Sequence, residues 1–235
     1  MPDVYNTQQT VARAPALSVF MRGVYAWMAA GLGLTALLAV GVSHVPALTQ
    51  LVFGTPGVLL GLIIVQLVMV FGLAARVNRM AASTATALFL VYSALNGVTL
   101  SSIFLVYAAA TITSAFIVAA GMFLVMAVYG SVTKRDLTSL GSFMFMGLIG
   151  IILASVVNLF LRSEGVSMMI SYIGVFVFLG LTAYDVQRFK DMGLYAPVHD
   201  ATAMRRASIL GALTLYLDFI NLFLMLLRIF AGNRR

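Results

Sequence analysis

The run GVYAWMAAGLGLTALLAVGVSHVPALTQLVFGTPGVLLGLIIVQLVMVFGLAA, Gly23 to Ala75, contains no Lys, Arg, Asp or Glu. A helix needs about 20 apolar residues to cross the hydrocarbon core of a bilayer, so this run holds two crossings. Proline and glycine cluster at Ser43-His44-Val45-Pro46 and at Phe53-Gly54-Thr55-Pro56-Gly57, where the turn belongs. The first segment is therefore placed at 23–42 and the second at 57–75, with Arg76 and Arg79 marking the loop that follows.

Length divides the rest of the chain in the same way. A second uncharged run from Met80 to Thr133 gives segments at 81–107 and 112–131, with the turn in Ala108–Thr113. Further segments fall at 139–161, 167–186 and 207–230, the fifth closed by Arg162-Ser163-Glu164-Gly165. Residues 1–19 form a short, mobile cytoplasmic tail that lacks the pattern of a cleavable signal peptide. Residues 20–235 form a single domain. The predicted class is an all-α membrane protein, a seven-helix transmembrane bundle.

Composition agrees and removes several functions. The chain is 62% hydrophobic and 9% charged, against roughly 45–50% apolar in soluble domains. Its net charge of +7 sits in short clusters between apolar runs, which marks membrane topology and excludes a nucleic-acid partner. With no cysteine, disulfides, thiolate metal sites and Cys nucleophiles are ruled out. Two histidines, His44 and His199, make no metal cluster, and no phosphate loop or Ser/His/Asp set occurs. No cofactor is expected, and the chain is not read as an enzyme.

Basic residues also give orientation, because loops rich in them stay cytoplasmic. With the amino terminus inside, the inner segments hold Arg13, Arg22, Arg76, Arg79, Lys134, Arg135, Arg188, Lys190, Arg205 and Arg206, whereas the outer loops hold Arg162. Arg228, Arg234 and Arg235 run against this pattern. Either the tail breaks the rule or the last segment turns back before crossing.

Two carboxylates lie inside apolar segments: Asp185 in Leu181-Thr182-Ala183-Tyr184-Asp185 and Asp218 in Leu215-Tyr216-Leu217-Asp218-Phe219-Ile220-Asn221. Ionisable groups in a membrane are costly unless partnered, so both are candidate site residues. Gly211, Thr214, Asp218 and Asn221 share one helix face, and Thr182 shares a face with Asp185. A polar stripe needs the bundle interior, which makes the last helix central. Arg76 ends the second segment at the level of Asp185 and can pair with it. Asp218 lies about 11 residues into its segment, on the order of 16 Å, deeper than Asp185; the gap shrinks if the sixth segment continues to Lys190. Two carboxylates in contact share a proton and titrate as a pair. Their ionised oxygens suit Ca²⁺ rather than soft metals. The plainer alternatives are a solvated interfacial carboxylate for Asp185, a structural hydrogen bond for Asp218 and a topology anchor for Arg76.

The segments Leu181 to Gln187, Leu215 to Phe223 and Tyr129-Gly130-Ser131-Val132-Thr133-Lys134-Arg135-Asp136-Leu137 resemble the Bax-inhibitor-one, or transmembrane Bax inhibitor motif, family, and the likeness extends from Phe20 to Phe230. The resemblance implies a bacterial inner-membrane protein with a central last helix wrapped by six others. It further implies a pH-sensitive Ca²⁺ leak governed by Asp185 and Asp218, with Arg76 as their arginine partner. Some bacterial relatives engage a membrane-bound quality-control protease, and eukaryotic relatives suppress cell death. Where relatives often carry an acidic residue, this chain has Gln66. An intramembrane aspartyl protease is the alternative for two paired aspartates. That family's second aspartate follows Gly-x-Gly, whereas Asp218 follows Leu215-Tyr216-Leu217. A non-conducting regulatory scaffold is the other alternative. The paired broken helices of a secondary transporter are not evident.

Overall fold

The computed structural model describes residues 2–195 and 200–232. His199, Arg234 and Arg235 lie outside them. The described chain is helical: α1 (Pro2–Ser43), α2 (Pro46–Thr49) running into a π-helical turn (Gln50–Gly54), α3 (Val58–Arg76), α4 (Ala82–Leu100), α5 (Ser102–Val106), α6 (Ala109–Val132), α7 (Thr138–Leu161), α8 (Glu164–Tyr195) and α9 (Ala201–Gly232). Seven stretches are long and apolar enough to cross a membrane: Leu17–Ser43, Val58–Arg76, Ala82–Val106, Ala109–Val132, Thr138–Leu161, Glu164–Leu194 and Thr202–Gly232. The chain is an all-α, multi-pass membrane protein.

The breaks follow from local chemistry. Pro46 opens α2 at a position whose backbone needs no donor. Gly57 precedes α3 with φ 84°, a left-handed conformation that favours glycine. Thr133 turns extended and stops α6. The third span is divided at Ser101, whose N–H still bonds Gly97 O at 3.0 Å, so α4 and α5 read as one crossing with a kink.

Three boundaries depart from expectation. α1 reaches back to Pro2, so the stretch expected to be a mobile tail is helical. α8 continues to Tyr195 and α9 starts at Ala201; each has 32 residues, about 48 Å at 1.5 Å per residue against a hydrocarbon core of about 30 Å. α9 also runs unbroken to Gly232, which removes the alternative of a last segment that turns back.

The described chain forms two compact units. The first joins residues up to Val106 with Phe189–Tyr216. In it, α1 lies on α4 so closely that a Cβ on Gly97 would meet the Thr35 backbone, and one on Gly31 would meet Phe89 and Ser93. The small, polar stretch from Ser93 to Ser102 therefore serves close helix packing. The second unit joins Tyr107–Arg188 with the chain from Leu217. Ala115, Ala119 and Ala127 line the buried face of α6, and Phe219 meets Phe116 and Phe123 edge to face at 5.5 and 5.6 Å. The last span is the most buried of the seven, with 67% of its apolar window enclosed against 6% for Val58–Arg76.

Candidate functional site: a buried carboxyl pair

Asp185 and Asp218 both belong to the second unit. The stretch around Asp185 is fixed from several sides. Glycine at position 130 lets α6 approach the Ala183 carbonyl, where a Cβ would collide with backbone. Gly141 of α7 leaves room for the Tyr184 ring. Gln187 clamps the loop between α6 and α7 with both ends of its amide: its Oε1 accepts from Leu137 N–H at 2.8 Å and its Nε2 donates to Arg135 O at 2.8 Å. Asp136 in that loop accepts from the Thr138 N–H at 2.9 Å and its hydroxyl at 2.6 Å. These two bonds hold its carboxyl below the usual carboxylate range. Motifs separated in sequence by some 50 residues are thus one structural piece.

Held this way, Asp185 is 6% exposed and Asp218 is 5% exposed. Their carboxyl groups lie close enough to interact with each other. An ionised carboxylate only accepts, so a hydrogen bond between the two requires a proton on one of them. Asp218 Oδ2 is buried without a hydrogen-bond partner among the described residues. A buried acceptor in that state is energetically poised to take up a proton, a cation or water.

The cation beside the pair is Arg188, one turn further along α8, with Nη1 3.8 Å from Asp185 Oδ1 and its side chain half exposed. Arg76, expected in that role, is exposed at the last turn of α3 and belongs to the first unit. The supporting hydroxyls and amide are spent locally. Thr182 Oγ1 donates to Phe178 O at 2.7 Å, Thr214 Oγ1 to Leu210 O at 3.1 Å and Asn221 Nδ2 to Leu217 O at 2.8 Å. The anticipated depth mismatch came from ending the sixth segment at 186; with α8 continuing to Tyr195, Asp185 lies within the helix. Among the described residues no group of three or more His, Cys, Asp or Glu gathers to hold a metal. Two carboxyls provide few of the six to eight oxygens that Ca²⁺ takes.

Gln66 donates its amide to Leu95 O at 3.1 Å and to the Thr99 hydroxyl. A carboxylate could accept from Thr99 but could not donate to that carbonyl. A polar network escaped the sequence altogether. In the first unit the Tyr216 hydroxyl meets Thr35 Oγ1 at 2.7 Å and accepts from Asn96 Nδ2 at 2.8 Å. Thr35 gives its proton to Ser93 O at 2.8 Å, so Tyr216 is the donor to Thr35. In the sequence Tyr216 stands as one residue of an apolar run.

A family model described as "Inhibitor of apoptosis-promoting Bax1" matches residues 17–235. The chain belongs to the Bax inhibitor family. Inner membrane protein YbhL of Escherichia coli is 55% identical over 219 residues, covering 93% of each chain. A Borreliella burgdorferi protein is 45% identical over 216 residues, 92% of each. A Streptococcus pyogenes membrane protein is 39% identical over 221 residues, 92% of this chain and 94% of its own. The matched region takes in every residue of the carboxyl site, including Gln187 and Arg188.

Proposed function

We propose that this Bax inhibitor family member is a pH-sensitive cation leak pathway of the inner membrane, with Ca²⁺ as cargo and the amino terminus in the cytoplasm. The proton shared by Asp185 and Asp218 sets its conduction. The observation that carries this reading is the burial of both carboxyls together with an Asp218 Oδ2 that has no hydrogen-bond partner among the described residues. Two neighbouring buried carboxyls that share a proton change their charge and geometry when that proton leaves. Repulsion between the ionised groups and the pull of Arg188 then act on α8 and α9, the two helices that carry them.

Purified protein in sealed liposomes loaded with a Ca²⁺ indicator tests it. Wild type is expected to pass Ca²⁺ at a rate that changes with pH, and Asp185→Asn and Asp218→Asn each to flatten that dependence. Unchanged pH profiles in both variants would refute the sensor. Vesicles that stay Ca²⁺-tight at every pH would favour a non-conducting scaffold for a membrane-bound quality-control protease. Arg76→Gln and Arg188→Gln separate the two arginines, since the cation that tunes the pair alters the profile and the topology anchor does not.

A further inference from the structure

Arg162 and Arg228 break the pattern that the other described basic residues follow. Pairs such as Lys134-Arg135 and Arg205-Arg206 lie at one set of span ends, whereas Arg162 closes the fifth span and Arg228 stands in the last turns of the seventh, at the opposite set. A topology signal does not account for these two. Both line one cleft in the second unit. Arg228 and Ser167 belong to the walls of two adjoining cavities of about 330 and 510 Å³, and the larger adds Arg162 and Asn158. Such volumes fall in the range of small-ligand sites. Arg228 follows Asp218 by ten residues, about 15 Å along the helix, so the cleft is not part of the carboxyl pair.

Local structure holds both arginines at the cleft. Arg162 has φ 51°, the one non-glycine residue in the left-handed region among the described residues, a conformation that is retained only where surroundings enforce it. Asn158 enforces it. Its Nδ2 donates to Ser163 O at 3.2 Å and Ser167 Oγ at 2.7 Å, while its Oδ1 accepts from Ser163 N–H at 3.1 Å. Arg228 is exposed although Leu227 and Ile229 on either side of it are buried. Immediately before Arg162, Leu159, Phe160 and Leu161 are 72%, 83% and 63% exposed. Two guanidiniums from different helices thus line a cleft that opens beside bare hydrocarbon surface.

We infer that this cleft binds the headgroup of a phospholipid of net negative charge, with its phosphate on Arg162 and Arg228 and an acyl chain along the Leu159–Leu161 surface. Arginine presents forked donors that match phosphate oxygens two at a time. A zwitterionic headgroup would bring its own cation beside two guanidiniums, which like-charge repulsion disfavours. Glu164 also lines the cleft, but its carboxylate already has an interaction of its own and takes no part in choosing the occupant. A soluble phosphate would leave the apolar strip unused. The site does not rest on the leak pathway, and its test reads lipid rather than Ca²⁺.

Native mass spectrometry of the full chain, released from nanodiscs of phosphatidylglycerol mixed equally with phosphatidylcholine, tests this. Wild type is expected to retain phosphatidylglycerol about tenfold over phosphatidylcholine, the scale of one hydrogen bond to a charged group. Arg162→Gly and Arg228→Gln should each cut retention of phosphatidylglycerol about tenfold, and glycine suits the left-handed backbone at 162. Arg228→Gln changes an exposed side chain and decides the matter if Arg162→Gly does not fold. Arg79→Gln, at the opposite set of span ends, should retain the lipid as wild type does. Equal retention of the two lipids by wild type, unchanged retention in Arg228→Gln, an equal loss in Arg79→Gln, or displacement of the lipid by millimolar inorganic phosphate would each overturn the assignment.

Discussion

Tyr216 shows how one hydroxyl organises its surroundings. It accepts from Asn96 and donates to Thr35, which donates onward to Ser93 O, and its ring meets Phe89 and Tyr92 edge to face. Tyr216→Phe keeps the ring contacts but leaves the Asn96 amide without its acceptor. The expected loss is about 1–3 kcal/mol, measured by unfolding in mixed detergent micelles. Thr35→Val breaks the same chain of bonds, so the double variant should lose less than the sum of the singles. Strict additivity would mean that the bonds act separately. Asp218 is the contrasting case two positions on, with an oxygen that no described residue satisfies. Arg188 was visible at a spacing of three from Asp185, yet the sequence could not distinguish an ion pair from two neighbouring solvated charges.

Between elements, contact distance is set by what lacks a side chain. Gly130→Ala places a methyl against the Ala183 carbonyl, so α6 and α8 must separate. The expected cost is about 1–3 kcal/mol, with loss of thermal stability in the same micelles. Gly72→Ala is the control: nothing lies within 4 Å of its Cβ position on α3, and helix propensity alone should stabilise it by about 0.5–1 kcal/mol. The start of α7 makes a pH-dependent prediction. Asp136 has its carboxyl held below the usual value by Thr138, so its contribution is present above the unfolded pKa of about 3.9 and fades as pH falls through the lower folded value. Asp136→Ala should therefore lower the melting temperature near neutral pH and match wild type once the carboxyl is protonated. A stability gap that persists at such acid pH would mean that the residue acts by packing.

At the scale of the whole molecule, the absence of cysteine makes topology directly measurable. A single cysteine at Ser163, between α7 and α8, should react with an impermeant maleimide from outside the cell, and one at Thr133, between α6 and α7, only after permeabilisation. The opposite pattern would invert the orientation that the basic residues indicate. Burial also divides the spans by role. The last is 67% enclosed, whereas Val58–Arg76 and Thr138–Leu161 are 6% enclosed and present most of their surface outward. In the bilayer those two surfaces meet lipid, which is where exposed Leu, Ile, Phe and Val belong.

The number of spans, their approximate limits and the two costly carboxylates were legible in the sequence, because the bilayer imposes a length on every crossing and a penalty on every buried charge. The helical stripe through Gly211, Thr214, Asp218 and Asn221 also pointed to a last helix away from lipid. What only the tertiary structure decided is which groups meet. Arg188 stands beside the pair, and Gln187 joins α8 to the loop before α7. Tyr216 completes a hydroxyl chain, while Asn158 bends Arg162 toward a cleft. Periodicity places a residue on a face of its own helix, but the distance between helices is fixed by the glycines at their crossings and by the few hydrogen bonds that hydrocarbon cannot replace.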